Sequence, residues 1–309
     1  MPSTRTSPTG AQHVLTRGEQ TAVVTEMGAT LRDYRVDDRL LVDGFPEDAR
    51  PDGGRGQVLS PWPNRVRGGR YAFDGAEQQL AVSEVAAGNA IHGLVRWVGW
   101  VVAEQGADRV SLTTTVWPQT GYPWLLRLAA TYTLDDDGLT VEIAARNDGT
   151  GAAPYGVGQH PYLTAGVPAD HTVLTLPASR RLRTDDRSLP VGSEDVTGTP
   201  YDFRAGRVVG DLRLDDAYVG LEPGPDGLVR VRLTEPRSRT GVELWADAAT
   251  RCVQVFTGDT LPDAARRREG IAVEPMSCPA DAFNSGTDLV VLEPGDTHRL
   301  RWGLRVVHG

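Results

Sequence analysis

The chain has 309 residues, a formal net charge of −9 and only two cysteines. A nucleic-acid or anionic-membrane surface is disfavoured, because both need a concentrated basic face. Cys252 and Cys278 are too few for a disulfide framework, and the Cys and His spacings of a zinc site are absent. We therefore expect a small partner that is not a polyanion, and no zinc site.

The N-terminal residues 1–10 lack the apolar core of a signal peptide, and no stretch approaches the roughly 18 consecutive apolar residues of a membrane span. A cytoplasmic protein with reduced thiols is the expectation. All-β domains often exceed 200 residues, so we expect a single domain over residues 1–309. The sequence leaves a monomer and a homodimer equally open.

The clearest predicted element is a hairpin over residues 126–146. Apolar and polar residues alternate up to Leu134 and again from Leu139, with Asp-Asp-Asp-Gly between the two runs. This period of two is typical of strands that are buried on one face. Residues 177–212 mix Pro, Gly, Asp and Arg, and they predict long surface loops.

Further strands are predicted at 229–234, 242–245, 253–256 and 299–306 from the same alternation. The modest helix candidate is 263–269, which a loop would explain equally well. Glycine (35 residues) and proline (21 residues) supply frequent turns. Without alternating strand and helix units, the pattern favours a large antiparallel β-sandwich or barrel over a Rossmann or TIM fold.

His160 stands in Gly-Val-Gly-Gln-His-Pro-Tyr-Leu, residues 156–163. Pro161 restricts the residue before it to extended backbone, so this imidazole is held in stiff, non-helical chain. An imidazole titrates near neutral pH and is suited to proton transfer. His160 is therefore a candidate acid.

Glu274 ends the apolar run Ile-Ala-Val-Glu-Pro, residues 271–275. A carboxylate there is costly unless it has partners, so it is either a catalytic base or the partner of a core-edge arginine. His92 follows Asn89 and precedes Gly93, and a backbone-bonded turn histidine is its alternative reading. The four remaining histidines lie in weaker surroundings and are expected to be solvated: His13, His171, His298 and His308.

Arg65, in Pro-Asn-Arg-Val-Arg, can donate several planar hydrogen bonds to vicinal hydroxyls or to an anion. A solvated hairpin turn is the alternative. Asp215 and Asp216 precede Tyr218, a combination suited to sugar hydroxyls but also common in plain loops.

These motifs together resemble the aldose 1-epimerase (galactose mutarotase) family. The resemblance rests on their order along roughly residues 20–307, in which each motif is weak and the set is specific. It is carried by Asn64-Arg65-Val66, Asn89-Ala-Ile-His-Gly93, Gln159-His-Pro-Tyr162, Leu214-Asp-Asp-Ala-Tyr218 and Val273-Glu274.

The resemblance implies a β-sandwich of the galactose mutarotase type that needs no metal or organic cofactor. By position it implies that His160 is the catalytic acid, Glu274 the base and His92 a polarising residue. A second set of residues is implied to bind the sugar: Arg65, Asp215, Asn64, Gln159 and Tyr162. Trp62, Tyr162 or Tyr218 is a candidate for stacking on the sugar, with a core position as the alternative.

The implied reaction interconverts the α and β anomers of an aldohexose by ring opening and reclosure. Glu274, with a reference pKa of about 4.3, is expected to be ionised at pH 7 and to take the C1 hydroxyl proton. We expect its charge to favour the imidazolium form of His160, which protonates the ring oxygen.

Two departures place the substrate in question. Gln159 stands where many relatives have Asn, and the sequence after Glu274 differs from that of galactose-specific members. An epimerase of an anionic hexose, sulfonated or phosphorylated, is therefore one alternative. A non-catalytic carbohydrate-binding protein on the same fold is another. A metal enzyme that uses His92, His160 and Glu274 as a facial triad is a third, disfavoured by the missing His-x-His spacing.

Overall fold

The computed structural model describes residues 7–309. The absence of a signal peptide was predicted from residues 1–10, of which residues 1–6 lie outside the described residues. Strands make 48% and helices 3% of the chain, which confirms the all-β prediction. The strands are β1 (Gln12–Arg17), β2 (Gln20–Thr25), β3 (Leu31–Val36), β4 (Arg39–Leu40), β5 (Val58–Leu59), β6 (Arg65–Arg67), β7 (Arg70–Phe73), β8 (Ala76–Gln79), β9 (Asn89–Ile91), β10 (Val101–Gln105), β11 (Arg109–Val116), β12 (Leu126–Asp135), β13 (Gly138–Asn147), β14 (Ala153–Tyr155), β15 (Gly158–Gln159), β16 (Tyr162–Leu163), β17 (Val173–Thr175), β18 (Ala178–Thr184), β19 (Pro190–Asp195), β20 (Arg207–Val208), β21 (Asp215–Leu221), β22 (Val229–Thr234), β23 (Gly241–Ala246), β24 (Cys252–Phe256), β25 (Ile271–Met276), β26 (Val290–Leu292) and β27 (Thr297–Val307).

Two large antiparallel sheets form the body of the molecule. The nine-stranded sheet has the order β10-β11-β12-β13-β27-β23-β22-β17-β20, and the eight-stranded sheet has the order β19-β18-β21-β24-β25-β15-β5. The strand β16 also pairs with β25, and β1 to β4 form a separate four-stranded sheet.

The predicted hairpin over 126–146 is confirmed as β12 and β13, in which Asp135 pairs with Gly138 across the turn. Its buried residues alternate with half-exposed ones, as the period of two requires. Ile143 is fully buried between Ala130 of β12 and Leu300 of β27. Burial of one such side chain contributes about 1.5–3 kcal/mol.

Gln159 joins the inner faces of the two large sheets. From β15 its amide nitrogen donates to the hydroxyl of Tyr132 (2.8 Å), and its amide oxygen accepts from the indole N–H of Trp302 (3.1 Å). The eight-stranded sheet therefore packs against β12 and β27 of the nine-stranded sheet, as in a β-sandwich. The strands predicted at 229–234, 242–245, 253–256 and 299–306 are confirmed as β22, β23, β24 and β27.

Of the two alternatives for residues 263–269, the structure has the loop, with a 3-10 turn at Ala264–Arg266 and the Asp263 carboxylate accepting from the Ala265 N–H. The region 177–212 contains the predicted loops and also a hairpin of β18 and β19 at the edge of the eight-stranded sheet, which the sequence analysis did not predict. The α-helix of the described chain is one turn, α1 (Ala282–Ser285). No helix within residues 7–309 has the length and apolar character to cross a membrane.

Two of the four histidines expected to be solvated are not. The His13 side chain is largely buried, and its Nδ1 lies 3.1 Å from the Gln105 amide oxygen. His298 packs against Tyr155, and burial lowers its pKa. His13 lies on β1 and His298 on β27, and the sequence around each histidine did not indicate that its side chain faces inward. His171 and His308 are exposed, as expected.

Candidate active site

A cavity of about 330 Å³ is lined in part by strands β21, β24 and β25 of the eight-stranded sheet, through Asp215, Phe256 and Glu274. It collects most of the side chains that the motifs indicated, although they are far apart in the sequence. Its lining includes Asn64, Arg65, His92, His160, Asp215 and Glu274.

The strand register brings His160 and Glu274 together. Gly158 pairs with Met276, and Tyr162 pairs with Ala272, so residue 160 stands opposite Glu274 of β25. Backbone hydrogen bonds fix His160 in the short segment between β15 and β16. The His160 N–H donates to the Gln57 carbonyl, and the His160 carbonyl accepts from the Gly56 N–H. The acid and base candidates are therefore fixed by opposing backbones.

The two side chains contact each other directly. His160 Nε2 lies 3.2 Å from Glu274 Oε1, and only 6% and 2% of the two side chains are exposed. Within residues 7–309, His160 Nδ1 and Glu274 Oε2 are buried without a hydrogen-bond partner. An adjacent acid and base of this kind suits a substrate whose two reacting oxygens share one carbon.

Burial controls the protonation of this pair. It raises the pKa of Glu274 well above its ordinary value, with the Asp215 charge adding to the rise and Arg65 opposing it. Burial also lowers the pKa of His160, and the charge of Arg96 adds to this effect. Desolvation favours the neutral form of each group, which differs from the expected ionised Glu274 and favoured imidazolium.

His92 is held in one tautomer. It has a φ of 62°, and the Asn64 backbone N–H donates to its Nδ1 (3.1 Å). Nδ1 must therefore carry a lone pair, which leaves Nε2 as the N–H donor. Burial is also the main cause that lowers the pKa of His92 well below its ordinary value. Its ring lies edge-on to that of His160, with centroids 5.4 Å apart.

Carboxylates neutralise the Arg65 guanidinium and fix its plane. Glu84 accepts two parallel hydrogen bonds of 2.9 Å from Arg65 Nε and Nη2. Asp215 lies 4.0 Å from Arg65 Nη1 and accepts a 2.7 Å bond from the Gln254 amide. Asp216 instead pairs with Arg181 (2.6 Å). Asp215 is thus the member of the aspartate pair that lines the cavity.

The structure does not bring Gln159 or Tyr162 to the cavity, which corrects their expected contact with the sugar. Both are fully buried; Gln159 links the two sheets, and the Tyr162 ring stacks behind His160. Trp62 and Tyr218 also belong to the hydrophobic core, so neither presents a free face for stacking.

The sequence analysis missed several cavity residues, among them Glu84, Arg96 and Trp97. Arg96 and Trp97 directly follow the His-Gly-Leu-Val segment, and this adjacency was the available signal. Burial lowers the pKa of Arg96 to about 10, and its Nε is buried without a partner among residues 7–309. The Trp97 side chain is half exposed at the rim.

Among residues 7–309, no group of three His, Cys, Asp or Glu side chains is placed to hold a metal ion.

Comparisons with known proteins agree with this geometry. The sequence profile of the aldose 1-epimerase family matches residues 12–305. The chain is 37% identical to the uncharacterized protein YihR of Escherichia coli K12 over 288 residues, covering 93% of this chain and 90% of that protein. It is 27% identical to human galactose mutarotase over 276 residues, covering 79% and 76% of the two chains.

A solved structure shares the fold across almost the whole chain. The galactose 1-epimerase of Lactobacillus acidophilus superposes with a TM-score of 0.82 at 22% identity, covering 96% of this chain and 94% of that one. The sandwich is therefore of the galactose mutarotase type. Together with the match over residues 12–305, this shows that the chain belongs to the aldose 1-epimerase family.

Proposed function

We propose that this protein is an active aldose 1-epimerase that interconverts the α and β anomers of an aldohexose. The observation that carries the proposal is the 3.2 Å contact between His160 Nε2 and Glu274 Oε1 at the wall of the cavity. The cavity volume of about 330 Å³ is within the range of small-molecule sites. The proposed partner is therefore one small sugar molecule.

In the proposed reaction, the Glu274 carboxylate takes the proton of the C1 hydroxyl while the His160 imidazolium gives its Nε2 proton to the ring oxygen. The bond between C1 and the ring oxygen breaks, and the C1 carbonyl forms. The pair becomes a neutral carboxylic acid and a neutral imidazole. After rotation about the C1–C2 bond, the reverse transfers close the ring on the other face of the aldehyde.

The burial of the pair supports this cycle. Desolvation favours the neutral carboxylic acid and imidazole, which is the state of the pair beside the open-chain aldehyde. The charged state, which has the same number of protons, is stabilised when sugar hydroxyls hydrogen-bond to it. One buried proton can thus serve both directions of the reaction.

The neighbouring groups are placed to hold the sugar. His92 can donate from Nε2 to a sugar oxygen, since its Nδ1 already accepts from Asn64. Arg65 can donate to vicinal hydroxyls while Glu84 holds its plane, and Asp215 can accept from hydroxyl groups. These contacts fix the orientation of the ring, which proton transfer at C1 requires.

Polarimetry on freshly dissolved α-anomers tests the proposal. We expect Glu274→Gln and His160→Asn each to lower the catalysed rate by about 10²- to 10⁴-fold, as is usual when a proton-transfer group is removed. Glu243→Gln is the matched control, a buried glutamate in β23 that is paired with Arg232. Near-wild-type rates in either site variant would overturn the assignment. Sugar binding without rate acceleration by the wild type would indicate a carbohydrate-binding protein.

Arg96 favours an anionic hexose as a second candidate substrate. Among residues 7–309, Arg96 has no carboxylate within ion-pair distance, whereas the cavity's Arg65 is paired with Glu84. A guanidinium that is partly removed from water without a counter-charge is costly, and a sulfonate or phosphate on the sugar would supply one.

A panel of neutral and anionic hexoses, followed by NMR exchange between anomers, decides between the two candidates. If the substrate is anionic, Arg96→Gln should lower its kcat/KM by about 10- to 100-fold, the value of a charged hydrogen bond, and leave neutral hexoses unchanged. Equal losses for both kinds of sugar would remove the support for an anionic substrate.

A further inference from the structure

Three side chains form a column that ends on His160. The Arg55 guanidinium carbon lies 4.0 Å from the centroid of the Tyr162 ring. The Tyr162 ring in turn stacks on the His160 ring, with centroids 5.2 Å apart and planes 12° from parallel. Arg55 and Tyr162 lie outside the cavity lining, so the column reaches the site only through the imidazole.

Arg55 is held rigidly at the base of the column. Its side chain is 0% exposed; Nε donates to Asp52 (2.8 Å), and Nη1 donates to the Asp43 carboxylate (2.6 Å). The Asp43 backbone carbonyl accepts a further bond from Nη1 (2.8 Å). Well-packed apolar residues can often replace a buried ion pair without loss of stability, so stability alone does not require this arrangement.

The imidazole is confined on its other sides as well. Gly54 has a φ of 78°, and a Cβ at that position would lie 2.8 Å from His160 Cδ2, so the Gly54 backbone packs against the ring. His92 lies edge-on at 5.4 Å, and Glu274 lies at Nε2. A ring clamped in this way keeps Nε2 aimed at one point, which proton transfer needs.

We propose that Arg55 is a positioning residue that acts on His160 through the Tyr162 ring, fixing the plane of the imidazole and disfavouring its protonation. This inference rests on the proposed function only for its effect on rate. Its effect on the imidazole itself holds in the empty protein.

The charges around His160 agree with this role. Burial is the largest cause of its lowered pKa, and the guanidinium groups of Arg96, Arg55 and Arg65 lower it further. Glu274 contacts Nε2, and the buried His92 faces the ring. Removal of the Arg55 charge should therefore allow His160 to bind a proton at higher pH.

Arg55→Met tests the proposal with two measurements. Nitrogen-15 NMR of histidine-labelled protein, without substrate, should show His160 titrating at higher pH than in the wild type. Polarimetry should show kcat lowered about 10-fold with KM changed less than twofold, because Arg55 does not touch the sugar. The acidic limb of the kcat profile should also move to higher pH. Arg55→Lys keeps the positive charge but loses the planar guanidinium. The pH at which His160 titrates should therefore return closer to the wild-type value than kcat does.

Arg181→Met is the matched control. The Arg181 guanidinium lies 3.4 Å from the Tyr201 ring centroid and pairs with Glu194 and Asp216, but its column holds no imidazole. We expect wild-type NMR titration and kcat for this variant.

A folded Arg55→Met protein with unchanged His160 titration and unchanged kcat would overturn the proposal. So would equal kcat losses in Arg55→Met and Arg181→Met. If Arg55→Met does not fold, Tyr162→Leu decides, since it removes the stacked ring and leaves the Arg55 ion pairs; an unchanged His160 resonance and kcat there would also overturn it. If the wild type shows no epimerase activity, the proposed function fails, and the NMR titration still tests the inference.

Discussion

The centre of the nine-stranded sheet and the wall of the cavity are built in different ways. The strands β12, β13 and β27 have 10, 10 and 11 residues and bury apolar side chains at alternate positions. The strands β5, β15 and β16 have two residues each. The first region gains its stability from repeated burial and ladder hydrogen bonds, whereas the second holds charged groups at fixed positions.

Backbone conformation and burial show the cost of the second arrangement. Asn64 and His92 both have positive φ, a conformation that L residues rarely adopt. Polar atoms of Glu274, Arg55 and Arg96 are buried without partners among residues 7–309. Such features destabilise the fold locally, so the regular sheet must offset them. Mutations in the two regions should therefore separate stability from activity.

The largest effect on stability should come from the regular sheet. Ile143→Ala leaves a cavity in the fully buried centre of β13, and we expect it to lower the free energy of unfolding by about 3–4 kcal/mol. Urea denaturation measures this loss. The epimerase rate per folded molecule should stay within about twofold of the wild type, because no cavity side chain is changed.

Thr140→Ala, on the half-exposed face of the same strand, is the control for Ile143→Ala. It should change the free energy of unfolding by less than about 0.5 kcal/mol. If Ile143→Ala lowered the rate per folded molecule as strongly as the stability, the two regions would not be independent.

The centre of the nine-stranded sheet could be predicted from the sequence more fully than the wall of the cavity. The hairpin over 126–146 was predictable, because each of its residues follows one period of two. His160 and Glu274 were found through motif order, but their contact depends on the register of β15, β16 and β25. The raised pKa of Glu274 could not be predicted, because desolvation depends on the whole fold. Gln159 was misassigned to the sugar since a motif position does not show which way a side chain points.

Gln159→Met should affect both regions, because Gln159 joins them. Methionine has a similar length but leaves the Trp302 N–H and the Gly56 carbonyl without their bonds to the amide. We expect a loss of about 2–3 kcal/mol in the free energy of unfolding. Since His160 follows directly, kcat should also fall several-fold, as measured by polarimetry.

Gln78→Met, at a half-exposed position of β8, serves as the control for Gln159→Met and should change neither quantity measurably. A Gln159→Met protein with full stability would show that its amide bonds do not hold the sheets together. Full stability with lowered kcat would assign Gln159 to the cavity alone.

The smallest effect concerns the pH dependence of stability. Burial keeps the pKa of His92 below its unfolded value of about 6.5, so below that pH the unfolded chain binds a proton that the folded protein does not. Stability should therefore fall as the pH falls from about 6.5, with His92 contributing about 1.4 kcal/mol per pH unit. His92→Asn removes this contribution, and asparagine tolerates the positive φ at this position. Urea denaturation at several pH values between about 7.5 and 5.5 should show a shallower slope for the variant. Equal slopes for the variant and the wild type would mean that His92 binds a proton in the folded protein. That outcome would contradict the hydrogen bond from the Asn64 N–H to His92 Nδ1, because a protonated Nδ1 cannot accept it.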